Sequence, residues 1–375
     1  MTSTTGIRYT TPVIKKDQAD DTYKFQPLPV PSGKYPYRLS LAEILPAVSD
    51  QQMVFHMVGD TGSIRNPDFQ KLVAGSMSKQ YEDGPDLGRP RFLYHLGDVV
   101  YTYGEADQYY AQFFGPYAQY PGPIMAIAGN HDSDINPDSI LPYASLQAFT
   151  TVFCDTNPRT VSFGQNAERK SMIQPNIYWT LKTPLATIIG LHSNVPRYGV
   201  ITNEQRIWFI EELKAANLER PEKAIIICMH HAPYSADINH GSSLPMIEFL
   251  NGVFAETGIR PDIIFSGHVH NYQRFSTRYA DGINIPYIVA GAGGYDELHP
   301  VALKDDKRFT GNSPLFDGVK LEHYCDSKHG FLKIALERNS KGLILTGEYF
   351  TTPDEEIKNN DPGSVLEDRF VLSIV

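Results

Sequence analysis

The chain has 375 residues, of which 41% are hydrophobic and 20% charged, an ordinary globular balance that suits one large α/β domain or two modest ones. A formal net charge of -10 repels phosphate backbones and argues against general nucleic-acid binding, but it leaves room for a local positive site of the kind metal ions supply. Three cysteines (Cys154, Cys228 and Cys325) do not make a disulfide framework, and no run of about 18 apolar residues spans a membrane. The N-terminus, MTSTTGIRYTTPVIKKDQADD, has no apolar signal core, so the expectation is a soluble cytoplasmic protein.

In chain order, residues 1–38 are polar and proline-punctuated and read as an extended arm. SLAEILPAV then reads as a short helix capped by Ser40. From Met53 the pattern alternates. The apolar runs MVFHMV, RFLYHL, PIMAIA, ATIIGL, KAIIICM, DIIFS and PYIVA are separated by helix-compatible stretches, clearest in NPDFQKLVAGSMSKQ, EADQYYAQFF, TNEQRIWFIEELKAANL and SLPMIEFLNGVFAET. In the third of these, Thr202 and Gln205 form a capping box, and Ile207, Ile210 and Leu213 follow at helical spacing. Runs that are apolar throughout imply strands covered on both faces, and their alternation with helices implies βαβ units. The segment 133–177 has little periodicity and reads as an irregular insertion in a catalytic domain running over 39–375. Near the C-terminus, GFLKIALERNSKGLILTGEYF reads as an antiparallel hairpin turning at Asn339–Gly342.

Five apolar runs end in residues able to bind a metal: Asp60 in MVGDTG, Asp98 and Tyr101 in HLGDVVY, Asn130 and His131 in IAGNHD, His230 and His231 in IICMHHAPY, and His268 and His270 in IFSGHVH. Each has an ordinary structural explanation when taken alone: a Gly-Asp turn, a solvated Asn-His loop, a packed histidine or a core tyrosine. Their co-occurrence at strand ends decides the matter, because the crevice at the carboxyl ends of the strands is where open α/β sheets bind ligands. Carboxylate, amide, imidazole and phenol donors without thiolate suit two hard or borderline cations such as iron, zinc or manganese. Cys228, near His230 but without a second cysteine, reads as strand packing.

The ordered set GDTG, GDVVY, GNHD, ICMH and GHVH resembles the five metal-binding motifs of the purple acid phosphatases, within the calcineurin-like metallophosphoesterase superfamily. Gly62 stands where the generic superfamily has a histidine, and Tyr101 is the gain that points to the purple acid phosphatase branch. The resemblance implies a four-layer α/β/β/α sandwich of two mixed sheets. It also implies one cation, Fe(III), held by Asp60, Asp98, Tyr101 and His270, and a second, Fe, Zn or Mn, held by Asp98, Asn130, His230 and His268, with Asp98 bridging. His230 is preferred to His231 because Tyr234 and His240 then fall where the family has an aromatic and a second active-site histidine, although His231-Ala232-Pro233 also fits a His-x-Pro pattern.

The implied chemistry is hydrolysis of phosphate esters, most of all monoesters, by hydroxide formed at the metals, with Asp98 as the bridge in that machinery. His131 and His240 are placed to hydrogen-bond the phosphoryl oxygens or protonate the leaving group, against the plainer roles of ligand support and surface loop. Asp132 is expected to orient His131, and Arg274 to form a structural salt bridge rather than brace the site. Phosphodiester hydrolysis at the same centre and a non-catalytic binding protein are the rival readings. The partner expected is a small phosphorylated substrate, with no nucleic acid and no membrane; oligomeric state is left open.

Overall fold

The fold is described from a computed structural model, which covers residues 6–45, 47–65, 67–83, 88–352 and 363–374. Two mixed sheets carry it. The larger has eight strands in the order Val319–Cys325, Tyr272–Arg278, Asn284–Ala290, Ile263–Ser266, Ala224–Met229, Ala186–Leu191, Trp179–Lys182 and Arg38–Ser40. The smaller has six: Val365–Ile374, Gly342–Thr351, Gly330–Asn339, Gln52–Val58, Leu93–His95 and Ile124–Ala126. A two-stranded ribbon pairs Ile14–Lys15 with Phe309–Thr310.

Each sheet has a parallel block, central in the larger and at one edge of the smaller. In the larger sheet, Ala186–Leu191, Ala224–Met229, Ile263–Ser266 and Asn284–Ala290 run parallel. In the smaller, Gln52–Val58, Leu93–His95 and Ile124–Ala126 do so. Every residue of Ala186–Leu191 and Ala224–Met229 is buried, as continuous apolar runs require when both faces are covered. The helix Asn203–Asn217 packs on the larger sheet with Leu244–Thr257 beside it, and Asp68–Asp83 packs on the smaller. The inner faces meet in one contiguous apolar core, where strand Asn284–Ala290 lies against Gly330–Asn339. This is the four-layer α/β/β/α sandwich of two mixed sheets.

The C-terminal hairpin forms with Asn339 opposite Gly342, and its second strand alternates buried and half-buried positions along its length. Arg38–Ser40, at the end of the arm, becomes an edge strand parallel to Trp179–Lys182. The helix Leu41–Ile44 follows Ser40, whose backbone N–H donates to Glu43 at 2.9 Å.

Several local readings need correction. EADQYYAQFF is not one α-helix but a 3₁₀ turn, Ala106–Gln108, running into a π-turn, Tyr110–Phe114. The stretch 133–177 contains an α-helix, Gln147–Phe153, and a bridge between Cys154 and Ile173. Thr202 caps its helix by accepting the Gln205 N–H at 3.2 Å, but the Gln205 side chain does not close the box. It pairs instead with both backbone groups of His192, at 2.8 Å each, which ties the helix to the loop after Ala186–Leu191. Ile207 faces solvent, while Trp208 and Phe209 join Leu213 on the buried stripe. All three cysteines are buried free thiols.

Candidate metal centre

The five strand ends converge. Asp60, Asp98 and Asn130 follow the three parallel strands of the smaller sheet, and His230 and His268 follow adjacent parallel strands of the larger. Three of these residues hold left-handed backbone conformations, with φ 58° at Asp60, 53° at Asp98 and 67° at His268. Such conformations cost about 1–3 kcal/mol each and cluster at functional sites, where surrounding structure enforces them. Gly97, at φ 96°, adopts a conformation that favours glycine, and a Cβ there would fall 2.6 Å from His230 Nδ1.

One group of donors gathers Asp60, Tyr101 and His270. The Tyr101 hydroxyl lies 3.2 Å from His270 Nε2 and 3.4 Å from Asp60 Oδ1. His270 Nδ1 is 3.1 Å from the Glu297 carbonyl, which can only accept, so Nδ1 carries the proton and Nε2 presents its lone pair to the cluster. The Asp60 carboxylate receives the His268 backbone N–H at 2.9 and 3.0 Å. The other group gathers Asp98, Asn130, His230 and His268. Asn130 Oδ1 is 3.1 Å from His230 Nε2 and 2.9 Å from His268 Nδ1, and His230 Nε2 is 3.3 Å from Asp98 Oδ2. His230 Nδ1 lies 2.8 Å from the Leu96 carbonyl and carries a proton, so Nε2 is the atom turned to the oxygens of Asp98 and Asn130; burial lowers the pKa of this imidazole, but Asp98 overrides that and raises it to about 9.

Ligand atoms of Asp98, His230 and His268 lie within 4.8 Å of one another in a buried site, and a cation there would take the place of the protons that otherwise hold these groups together; this is the observation that fits metal ions to the donor set. The polar partners of the two carboxylates are backbone N–H groups, imidazoles and a phenol. Burial pushes the Asp60 carboxyl well above the usual carboxylate range; His230 opposes the shift and Asp98 adds to it. Burial acts the same way on Asp98, but His230 and His131 override it and hold Asp98 far below the usual range. Burial, then the charges of Asp98 and Asp60, drive the Tyr101 phenol well above its ordinary value. A multiply charged cation inverts that logic and favours the phenolate.

Gly62 explains why Tyr101 is possible. A Cβ at 62 would sit 2.7 Å from the Val99 carbonyl, 3.1 Å from Tyr101 Cδ2 and hard against Gln112 Oε1. Gln112 in turn clamps the Tyr101 backbone, accepting its N–H at 2.9 Å and donating to its carbonyl at 2.6 Å. The space a histidine at 62 would take is filled by the tyrosine and its clamp.

His231 meets the Ser193 hydroxyl at 2.7 Å through Nδ1, with its ring 4.3 Å from that of His268, whereas His230 faces Asp98 and Asn130. His131 donates its backbone N–H to Asp98 Oδ1 at 2.9 Å, and its Nδ1 lies 2.8 Å from the Thr102 carbonyl, beside the Tyr101 ring. His240 is not a surface loop residue: its ring centroid lies 4.0 Å from that of His268. Asp132 does not orient His131. Its carboxylate accepts the backbone N–H groups of Val99, Val100 and Gly129 at 2.8–3.2 Å, stitching the Asp98 loop to the Asn130 loop. Arg274 pairs with Asp368 at 2.7 and 3.0 Å, outside the cluster. Four neighbours escaped sequence reasoning: Gln112, Tyr295 against the Tyr101 ring, His299 stacked on His270, and Asp237. Gln112 lay inside a presumed helix, and Tyr295 and His299 follow VAGAGG without a spacing that marks them.

The fold and the donor set define a metallophosphoesterase. Residues 53–272 match the calcineurin-like phosphoesterase family, and the chain belongs to it. Within that family it is purple acid phosphatase-like. It is 25% identical over 270 residues to Fe(3+)-Zn(2+) purple acid phosphatase 12 of Arabidopsis thaliana, covering 66% of this chain and 52% of that protein. It is 26% identical over 254 residues to purple acid phosphatase 1 of Ipomoea batatas, covering 65% and 46%. The chain thus spans about half the length of the curated relatives it matches. Among solved structures it superimposes on GAP50, the anchor in the inner membrane complex of Plasmodium, with a TM-score of 0.51 at 15% identity over 82% of this chain and 87% of that one. It also superimposes on PhoD, with a TM-score of 0.50 at 12% identity over 92% and 72%. At these identities the two structures speak for the fold alone.

Proposed function

We propose that this chain hydrolyses small phosphate monoesters at a dinuclear metal centre. In this reading Asp60, Tyr101, His270 and Asp98 hold Fe(III), and Asp98, Asn130, His230 and His268 hold Fe, Zn or Mn. The observation that carries it is Asp98, buried between the two donor groups, close enough to His230 to pair with it and close enough to Tyr101 to raise its pKa. Bound at these residues, two cations supply Lewis acidity toward a phosphoryl oxygen and a water acidic enough to act near neutral pH.

The chain's own residues do the rest. Asp98 sets the spacing of the two positions, and the His131 N–H holds its Oδ1 in place. His131 Nδ1 is committed to Thr102, which leaves Nε2 as the nitrogen that holds or delivers a proton. His240, flanking His268, is the second imidazole available to a phosphoryl oxygen. The surplus of negative charge over the whole chain disfavours nucleic-acid partners.

Comparing p-nitrophenyl phosphate with its bis-ester tests the monoester assignment: faster turnover of the bis-ester transfers the site to diesters, and turnover of neither over a broad pH range ends the enzyme reading. Elemental analysis with a visible spectrum tests the metals. A phenolate–Fe(III) pair gives a charge-transfer band that disappears in Tyr101→Phe; a colourless active protein removes iron while sparing the hydrolase.

A further inference from the structure

We propose that Asp237 and His299 are positioning residues, a buried brace that sets His240 over one metal position and backs His270 at the other. The proposal rests on the phosphohydrolase reading above, because the task assigned to His240 is contact with the phosphoryl group.

Asp237 is fully buried, and its partners are polar groups of the segment that follows His230 together with His299. Oδ2 accepts the backbone N–H groups of Asn239 at 2.9 Å and His240 at 3.0 Å. Oδ1 accepts Gly241 N–H at 2.8 Å and the Ser235 hydroxyl at 2.9 Å. Three consecutive amides therefore converge on one carboxylate, which dictates the turn that presents His240. Gly241 adopts φ 69°, the conformation such a turn needs. Among the described residues no side-chain hydrogen bond holds the His240 ring, so its place beside His268 is inherited from the backbone, and hence from Asp237.

The second arm runs through His299. Its Nδ1 lies 3.4 Å from Asp237 Oδ2 and 3.3 Å from the backbone N–H nitrogen of His270, and its Nε2 meets Asn239 Nδ2 at 2.9 Å. Its backbone N–H donates to the His270 carbonyl at 2.9 Å. The ring stacks on His270 with centroids 4.2 Å apart and planes 19° from parallel, and it lies 5.2 Å from His240. One carboxylate thus organises an imidazole behind each half of the centre. That matters because a misplaced group about 1 Å out of line can cost a hundredfold in rate without any change in the ligands themselves.

A double-mutant cycle, with metal analysis alongside, tests the brace. Asp237→Asn keeps the side chain's shape but puts a donor where backbone donors point. It is expected to retain wild-type metal content and visible band, to lower kcat on p-nitrophenyl phosphate at least tenfold with little change in KM, and to cost no more than twofold further in a His240→Ala background. Kcat within twofold of wild type, a loss that multiplies fully with His240→Ala, or activity that falls only in step with lost metal would each overturn the proposal. His299→Phe keeps the stack and removes the ring nitrogens, and it carries the test should Asp237→Asn fail to fold. It is expected to keep its metal and shift the visible band, and an unchanged band refutes the His299 arm. The wild-type assay comes first: if the unsubstituted protein hydrolyses no phosphate ester, the phosphohydrolase reading fails, and the His299→Phe band decides the brace alone.

Discussion

At the scale of single residues, the centre depends on side chains that are individually uncomfortable. Gly62 shows the constraint most directly. Adding only a methyl group at Gly62→Ala forces it against Gln112, Val99 O and Tyr101, so overpacking of about 1–3 kcal/mol is expected in urea titration, together with loss of the charge-transfer band that the proposed Tyr101–Fe(III) pair would give. His56 illustrates a cost of another kind. It is buried in the smaller sheet between the Tyr120 hydroxyl and Gln80, each at 3.2 Å, and burial drives its pKa down to about 3. The unfolded chain takes up this proton below about pH 6.5 and the folded chain refuses it. Stability is therefore fully present above pH 6.5 and is lost as pH falls toward 3. In His56→Gln the acid-side slope of unfolding free energy should flatten by about 1.4 kcal/mol per pH unit across that window; an unaltered slope would show that the ring titrates normally.

Elements matter here chiefly for what they hold at their ends. The parallel strands deliver their C-terminal residues to one crevice, but the loops must then be held against each other, and Asp132 does this by accepting three backbone N–H groups from two loops. Asp132→Asn offers one acceptor oxygen where there were two and turns an amide donor toward backbone donors. A loss of about 1–3 kcal/mol is expected in denaturant unfolding, with weaker metal retention because Asp98 and Asn130 are no longer tied together. Wild-type stability and wild-type metal content in that variant would remove the stitching role. The stretch EADQYYAQFF belongs to the same scale. It has helical composition, yet it tightens and then widens because Gln112 must reach back to clamp Tyr101, so tertiary demand overrides propensity.

For the whole molecule, the two sheets face each other across the core and contribute opposite walls of one centre, with Asp60, Asp98 and Asn130 from the smaller and His230 and His268 from the larger. On the proposed reading, cations bound there would crosslink the two sheets, and their removal would leave buried carboxylates without compensation. Chelation should therefore lower the melting temperature reversibly: saturation at 100 times Kd is worth about 2.7 kcal/mol. Identical melting of stripped and reloaded protein would break the link between metal and fold. Among the described residues no helix is long and apolar enough to cross a membrane.

The metal-facing residues were legible in the sequence because each lies immediately after an apolar strand, and strand direction alone sends consecutive strand ends to one edge of a sheet. Tyr101 and Gly62 could likewise be read as a linked gain and loss, and the structure supplies the reason: both compete for one volume. What only the tertiary structure decided are contacts between segments distant in the chain. His230 meets Asp98 and Asn130, while the adjacent His231 meets Ser193 and packs on His268. Asp132 serves loops rather than its neighbour because three amides converge on it. His299 reaches His270, and Asp237 reaches both His240 and His299, only once the strands are paired and their loops folded back over the centre. Local pattern records which residues follow a strand; which side chain a folded loop turns toward a distant one depends on packing that no short stretch contains.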